Sequence, residues 1–111
     1  MSGRNVNNSA GAIGLGAVTL IEGSSFCLSA ANGDMQTTSP HGAFFNDTRF
    51  ISEWNLTVND RPVEALSAAT PDPHRAHFVG RVPSEGRAES ALLVERERIL
   101  GRGLTETITV R

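Results

Sequence analysis

Between Leu104 and Val110 the chain reads Leu-Thr-Glu-Thr-Ile-Thr-Val, so that Leu104, Glu106, Ile108 and Val110 share one parity and three threonines take the other. A period of two fits only an extended strand, because a helix needs its apolar residues three and four apart. The same period runs through Phe50, Trp54, Leu56 and Val58, with Arg49, Glu53, Asn55 and Thr57 at intervening positions. It predicts one long strand from Arg49 to Val58, with a dry face that takes Trp54 into the core and a wet face turned to solvent.

Turn signals divide the rest into short extended pieces. Ala17 to Glu22 and Ser25 to Ala31 read as strands, followed by Asn32-Gly33, the pair that suits the positive φ angles of a tight hairpin. Thr37 to Gly42 form a polar connection that Phe44 and Phe45 anchor. Asn59-Asp60 is a second tight turn, and Pro62 suits the start or edge of the returning strand. Thr70 to His74 reads as an extended loop, Arg75 to Val82 as a strand, Pro83 to Gly86 as a turn, and Ser90 to Leu100 as a longer strand joined through Gly101-Arg102-Gly103 to the final one. No segment carries a helical period. The fold class this predicts is all-β, an antiparallel β-sandwich, preceded over residues 1–16 by a flexible Asn, Ser and Gly-rich leader. Thr107 to Arg111 is still strand-like at the last residue, so the sandwich over residues 17–111 is expected to be incomplete, with an open sheet edge available for self-association.

With 111 residues, one domain with a core is feasible without staples. The net charge of −2 and the scattering of basic residues give no footprint for nucleic acid or for an anionic membrane surface. Every one of the 10 basic residues is Arg, a bias that codon usage explains better than function. Cys27 is the single cysteine, which excludes an intrachain disulfide and fits a small buried hydrophobe. The apolar run after Arg4 imitates a signal peptide but is broken by glycines at 11, 14, 16 and 23, and no stretch reaches membrane-spanning length. The expected setting is the cytoplasm.

Candidate chemistry is sparse. Glu95 and Glu97 lie two apart on a strand, near the spacing of paired glycosidase carboxylates, yet they sit side by side and Arg96 and Arg98 fill the other face with charge. The expectation is a solvated, ion-paired segment that protects a strand edge. His41, His74 and His77 lack acidic or sulfur partners at a ligand spacing and read as loop histidines; no metal, cofactor or catalytic residue is expected. Ser24 and Ser25 lack the context of a nucleophile elbow. Asp47 and Arg49 flank Thr48 where the long strand begins, and read as a clamp on that turn or as a contact with a saccharide or a following domain. Of the adjacent pair Phe44 and Phe45, one can point outward to stack on a sugar.

Several of these pieces also form a pattern. Val18-Thr19-Leu20-Ile21-Glu22-Gly23, Asn32-Gly33-Asp34, Pro40-His41-Gly42, Asp47-Thr48-Arg49-Phe50-Ile51-Ser52, Asn59-Asp60-Arg61-Pro62 and the segment from Glu95-Arg96 to Val110-Arg111 occur in order. The chain resembles, over nearly all of residues 17–111, the N-terminal domain of bacterial proteins similar to glycogen debranching enzyme, the amylo-alpha-1,6-glucosidase family. The resemblance implies an all-β domain that precedes a helical (α/α) barrel, with the acid and base carboxylates of glycoside hydrolysis in the barrel. These 111 residues include no such barrel. The resemblance therefore implies a non-catalytic accessory domain that packs on the barrel, with Asp47, Thr48, Arg49, Phe44 and Phe45 as contacts to the barrel or to α-glucan. A stand-alone carbohydrate-binding module and a ligand-free, self-associating sandwich are the alternatives.

Overall fold

The computed structural model describes residues 16–84 and 87–111. Residues 1–15, which hold nearly all of the expected leader, lie outside it, as do two residues of the expected turn at 83–86. The described residues form strands and no helix: β1 (Val18–Glu22), β2 (Ser25–Ser29), β3 (Gly42–Phe45), β4 (Thr48–Ile51), β5 (Thr57–Val58), β6 (Arg61–Pro62), β7 (Glu64–Asp72), β8 (Arg75–Ser84), β9 (Arg87–Leu100) and β10 (Leu104–Val110). Two four-stranded antiparallel sheets, in the orders β1-β2-β3-β4 and β10-β9-β8-β7, pack face to face, and β5 and β6 form a separate ribbon. This is an all-β antiparallel sandwich, the class predicted from the alternation.

Each sheet is a meander of consecutive strands, joined by short turns except between β2 and β3, where residues 30–41 make a longer connection. Gly23 (φ 60°) reverses β1 into β2. Asn46 and Asp47 (φ 49° and 66°) and Asn59 and Asp60 (φ 53° and 63°) supply paired left-handed residues, the geometry that matches strand twist in a two-residue hairpin. The core follows strand parity. Leu20, Cys27, Met35, Ala76, Phe78 and Leu100 form one buried cluster between the sheets. Val63, Val82 and Val94 form a second, flanked by Leu56 and Val58.

Several expectations are corrected. The stretch from Arg49 to Val58 is not one strand: β4 ends at Ile51, Trp54 makes an isolated bridge to Met35, and β5 begins at Thr57. Trp54 is 36% exposed and Phe50 is also exposed, so the alternating face is not a dry one. Asn32-Gly33 is not a tight hairpin but lies within the longer connection between the paired strands β2 and β3. The Gly33 amide donates to Ala30 O (2.9 Å) and the Ala30 amide to Asp34 O (2.8 Å), so the turn closes on itself and sends the chain to Met35 and its bridge with Trp54. Residues 70–72 belong to β7 rather than to a loop. Finally, β9 is an interior strand between β8 and β10, and Arg96 and Arg98 point into the sandwich with 1% and 0% exposure. An interior strand has no edge to protect.

Candidate functional site

Burying Arg96 and Arg98 follows from parity. They alternate with Glu95, Glu97 and Ile99, and share their face of β9 with Val94 and Leu100, which the core requires inside. A charge taken out of water needs opposite charge and hydrogen bonds. β10 brings one carboxylate, because Glu106 stands directly across from Arg98 in the ladder. Glu106 Oε1 accepts from Arg98 Nη2 (2.6 Å), Arg98 Nε (2.8 Å) and the Trp54 indole (2.8 Å), and Oε2 accepts from Arg96 Nε (2.5 Å). The Asn32–Asp34 turn supplies the rest. Arg96 Nη1 donates to Asp34 Oδ1 (2.8 Å) and to Asn32 O (2.9 Å), and Arg98 Nη2 donates to Gly33 O (2.7 Å).

Two arginines and two carboxylates thus balance between the two apolar clusters. The Arg98 guanidinium also lies over the Phe78 ring, 4.9 Å from its centroid. Gly33 is required here for two reasons. Its φ is +97°, and a Cβ would meet the Arg96 guanidinium carbon at 3.0 Å. Burial by itself would raise the Glu106 pKa, but the charges and hydrogen bonds of Arg98 and Arg96 outweigh it and hold the carboxyl below its ordinary value. Burial pushes the Cys27 thiol up, and the nearby Arg98 offsets only part of that, so the thiol stays neutral. Glu106 is buried and accepts four hydrogen bonds from Arg96, Arg98 and Trp54, so its carboxylate is committed to the network. This cluster is a structural centre, not an acid-base site.

The accessible site is at the end of the sandwich where the β1–β2, β3–β4 and β9–β10 turns converge. Phe45, Asn46, Thr48, Phe50 and Arg102 line a groove of 430 Å³ there. A smaller one, shared through Phe45 and Arg102, continues to Glu22, Ser24, Ser25 and Gly101. Phe45 is 47% exposed. On the adjoining outer face of the first sheet, Ile21, Phe26, Phe44 and Arg49 are successive cross-strand partners from β1 to β4. Phe26 and Phe44 stack with centroids 4.4 Å apart at 8°, and the Arg49 guanidinium lies 5.4 Å from the Phe44 centroid.

The residues singled out in the sequence are therefore near one another, with different roles. Phe45 and Thr48 line the groove, Phe44 and Arg49 belong to the stacked row, and Asp47 is an exposed turn residue in the left-handed conformation. Arg49 covers an aromatic ring and makes no ion pair among the described residues. Glu95 and Glu97 are on the outer face of β9, with Glu95 at 2.8 Å from Arg111 and 3.5 Å from His77, and Glu97 at 3.8 Å from Arg75. His77 is on β8 rather than in a loop. No cluster of potential metal ligands occurs among the described residues, and no helix there is long and apolar enough to cross a membrane.

Arg96, Arg98, Glu106, Asp34, Phe50 and Arg102 escaped the sequence reading as site residues. Parity could have found the first three, since each shares a face with apolar neighbours. Phe50 and Arg102 gave no such signal, because only the meeting of distant turns places them together.

The described residues form an antiparallel β-sandwich with a groove at one end. The family model for the N-terminal domain of some glycogen debranching enzymes matches residues 20–111, and the chain belongs to that family. Neither the curated proteins nor the solved structures contain a match to it.

Proposed function

We propose that this chain is a non-catalytic accessory domain of a glycogen debranching enzyme-like, amylo-alpha-1,6-glucosidase protein, active in α-glucan metabolism in the cytoplasm. In this reading it packs on an (α/α)-barrel domain of the parent protein, which holds the hydrolytic carboxylates. One observation carries the proposal: every residue of the motif Asp47-Thr48-Arg49-Phe50, on which the family resemblance rests most, is exposed, including an aromatic ring that is 44% open to solvent. Phe50 lines the groove and is left open to solvent rather than taken into the core, so its aromatic surface is directed outward. Phe50, Phe45 and the stacked Phe26 and Phe44 offer aromatic area, and Arg49 and Arg102 offer donors for carboxylates or carbonyls on the facing domain.

Titrating the chain with the separately produced barrel domain tests this. Binding is expected, weakened roughly tenfold or more by Phe50→Ala, as for an aromatic residue at the centre of an interface. No binding, or binding that Phe50→Ala and Arg49→Ala leave unchanged, would overturn it.

The exposed Phe45 favours a second reading, direct glucan contact. A planar ring beside Asn46, Thr48 and Arg102 offers stacking for the apolar face of a pyranose and donors for its hydroxyls. Calorimetric titration with maltooligosaccharide decides it: Phe45→Ala should abolish heat that the parent chain gives.

A further inference from the structure

The two large sheets end in four outer strands, and three of these are blunted. On β1, the outward amide of Ile21 is taken by Pro73 O (2.8 Å) in the β7–β8 turn, and Glu22 faces His74 at 4.0 Å. β4 has only four residues and meets β3 through a register shift. β7 is broken by two register shifts, between Ala65 and Ser67 and between Ala69 and Asp72. Irregularity, brevity and cover are the usual ways of keeping an edge from pairing with another chain. Among the described residues β10 has none of them. It pairs with β9 over all seven residues without a shift, contains no Pro, and carries one charged side chain, Glu106, which is turned inward and neutralised by two arginines.

The backbone of this edge can be assigned. Arg111 and Leu93 exchange both of their hydrogen bonds, Leu93 N to Arg111 O at 2.8 Å and Arg111 N to Leu93 O at 2.9 Å. In an antiparallel ladder the direction alternates. Arg111, Thr109, Thr107 and Thr105 therefore bond inward to β9, and Val110, Ile108, Glu106 and Leu104 turn their N–H and C=O groups to the open side. Ile108 and Val110 have side chains on the inner face of the sheet, yet they are 44% and 45% exposed. The opposite sheet does not cover them.

We propose that β10 pairs antiparallel with β10 of a second copy of this chain, with Thr107 on the two-fold axis. This register uses all seven residues and is self-complementary. Every outward group meets an outward group, with Glu106 opposite Ile108 of the second copy and Leu104 opposite Val110. The apolar pair covers area now open to water on the inner face. On the outer face Thr105 meets Thr109 and Thr107 meets Thr107, pairs that favour a sheet. No like charges oppose each other, because each Glu106 faces an isoleucine. The result is a continuous sheet of eight strands, four from each copy. This surface is separate from the aromatic groove, so the dimer stands or falls independently of the function proposed above.

Sedimentation equilibrium of the full chain over a range of concentrations should give a monomer–dimer equilibrium. Ile108→Pro removes an amide that points outward and no bond to β9, so it should raise the dimer dissociation constant roughly tenfold or more while the circular dichroism is kept. Should that variant not fold, Ile108→Lys serves in its place. Cross-linking checks the register. Thr107 and its copy form a non-hydrogen-bonded pair with Cα atoms about 4.5 Å apart, within disulfide range. Thr107→Cys should cross-link on mild oxidation. Thr105→Cys should not, because its copy is four residues further along, roughly 13 Å away. Cys27 is buried and does not compete. A monomer at every concentration, a dimer indifferent to Ile108→Pro and Ile108→Lys, or cross-linking at Thr105 in preference to Thr107 would each overturn the proposal; the first would leave the β10 edge to a strand of other origin.

Discussion

The middle of the sandwich and its turn-bearing end invert the usual placement of side chains. In the middle, Arg96, Arg98, Glu106 and Asp34 are buried and pair with one another. At the end, Phe45 and Phe50 are exposed and share a groove with Arg102. The buried charges are fixed by sheet parity and by the need to neutralise each other, so their value lies in holding the fold. The exposed aromatics are left open to solvent rather than taken into the core, so their value lies in what they meet. Substitutions in the two regions should then separate stability from binding.

The largest effect is expected at Glu106. Glu106→Gln removes the charge shared by two buried arginines and should cost about 3–5 kcal/mol of stability, read from chemical denaturation. The same residue gives the pH dependence. Its folded pKa lies below the unfolded value of about 4.3, so the stability it contributes is fully present above that value and lost as pH falls through the folded pKa. The gap between the parent chain and Glu106→Gln should narrow as pH drops below about 4. Gly33→Ala comes next, about 2 kcal/mol, because a left-handed residue gains a Cβ against the Arg96 guanidinium. Trp54→Phe loses the indole hydrogen bond to Glu106 and should cost about 1 kcal/mol. Phe45→Ala is the smallest, within about 0.5 kcal/mol, since the ring is half in water. If it cost as much as Gly33→Ala, the contrast between the two regions would fail.

Much of the scaffold was legible in the sequence because strand parity and turn chemistry are local. The Asn59-Asp60 turn, the Gly101–Gly103 hairpin and the strands from Arg75 and from Leu104 follow the pattern read from them. Where reading failed, a non-local fact decided. Phe50 and Trp54 alternate correctly, but the strand stops at Ile51, and no residue between Ser52 and Asn55 announces the break. Asn32-Gly33 has the residues of a hairpin and serves instead as a lid on Arg96 and Arg98, a role fixed by residues more than 60 positions away. The arginines of Val94 to Leu100 were assigned to solvent on charge alone. Parity with Val94 and Leu100 pointed inward, and charge was the weaker signal because Glu106 was opposite. The groove joins turns from three parts of the chain, which no local pattern describes.

The reach of the arginine network bears on how the chain is made. Asp34 leaves the ribosome first, Arg96 and Arg98 more than 60 positions later, and Glu106 after them. A nascent polypeptide that has emerged only as far as Leu100 has two guanidinium groups to bury and one carboxylate to meet them, so docking of the two sheets must wait for the final hairpin. Synthesis must pass Glu106 before this domain can close.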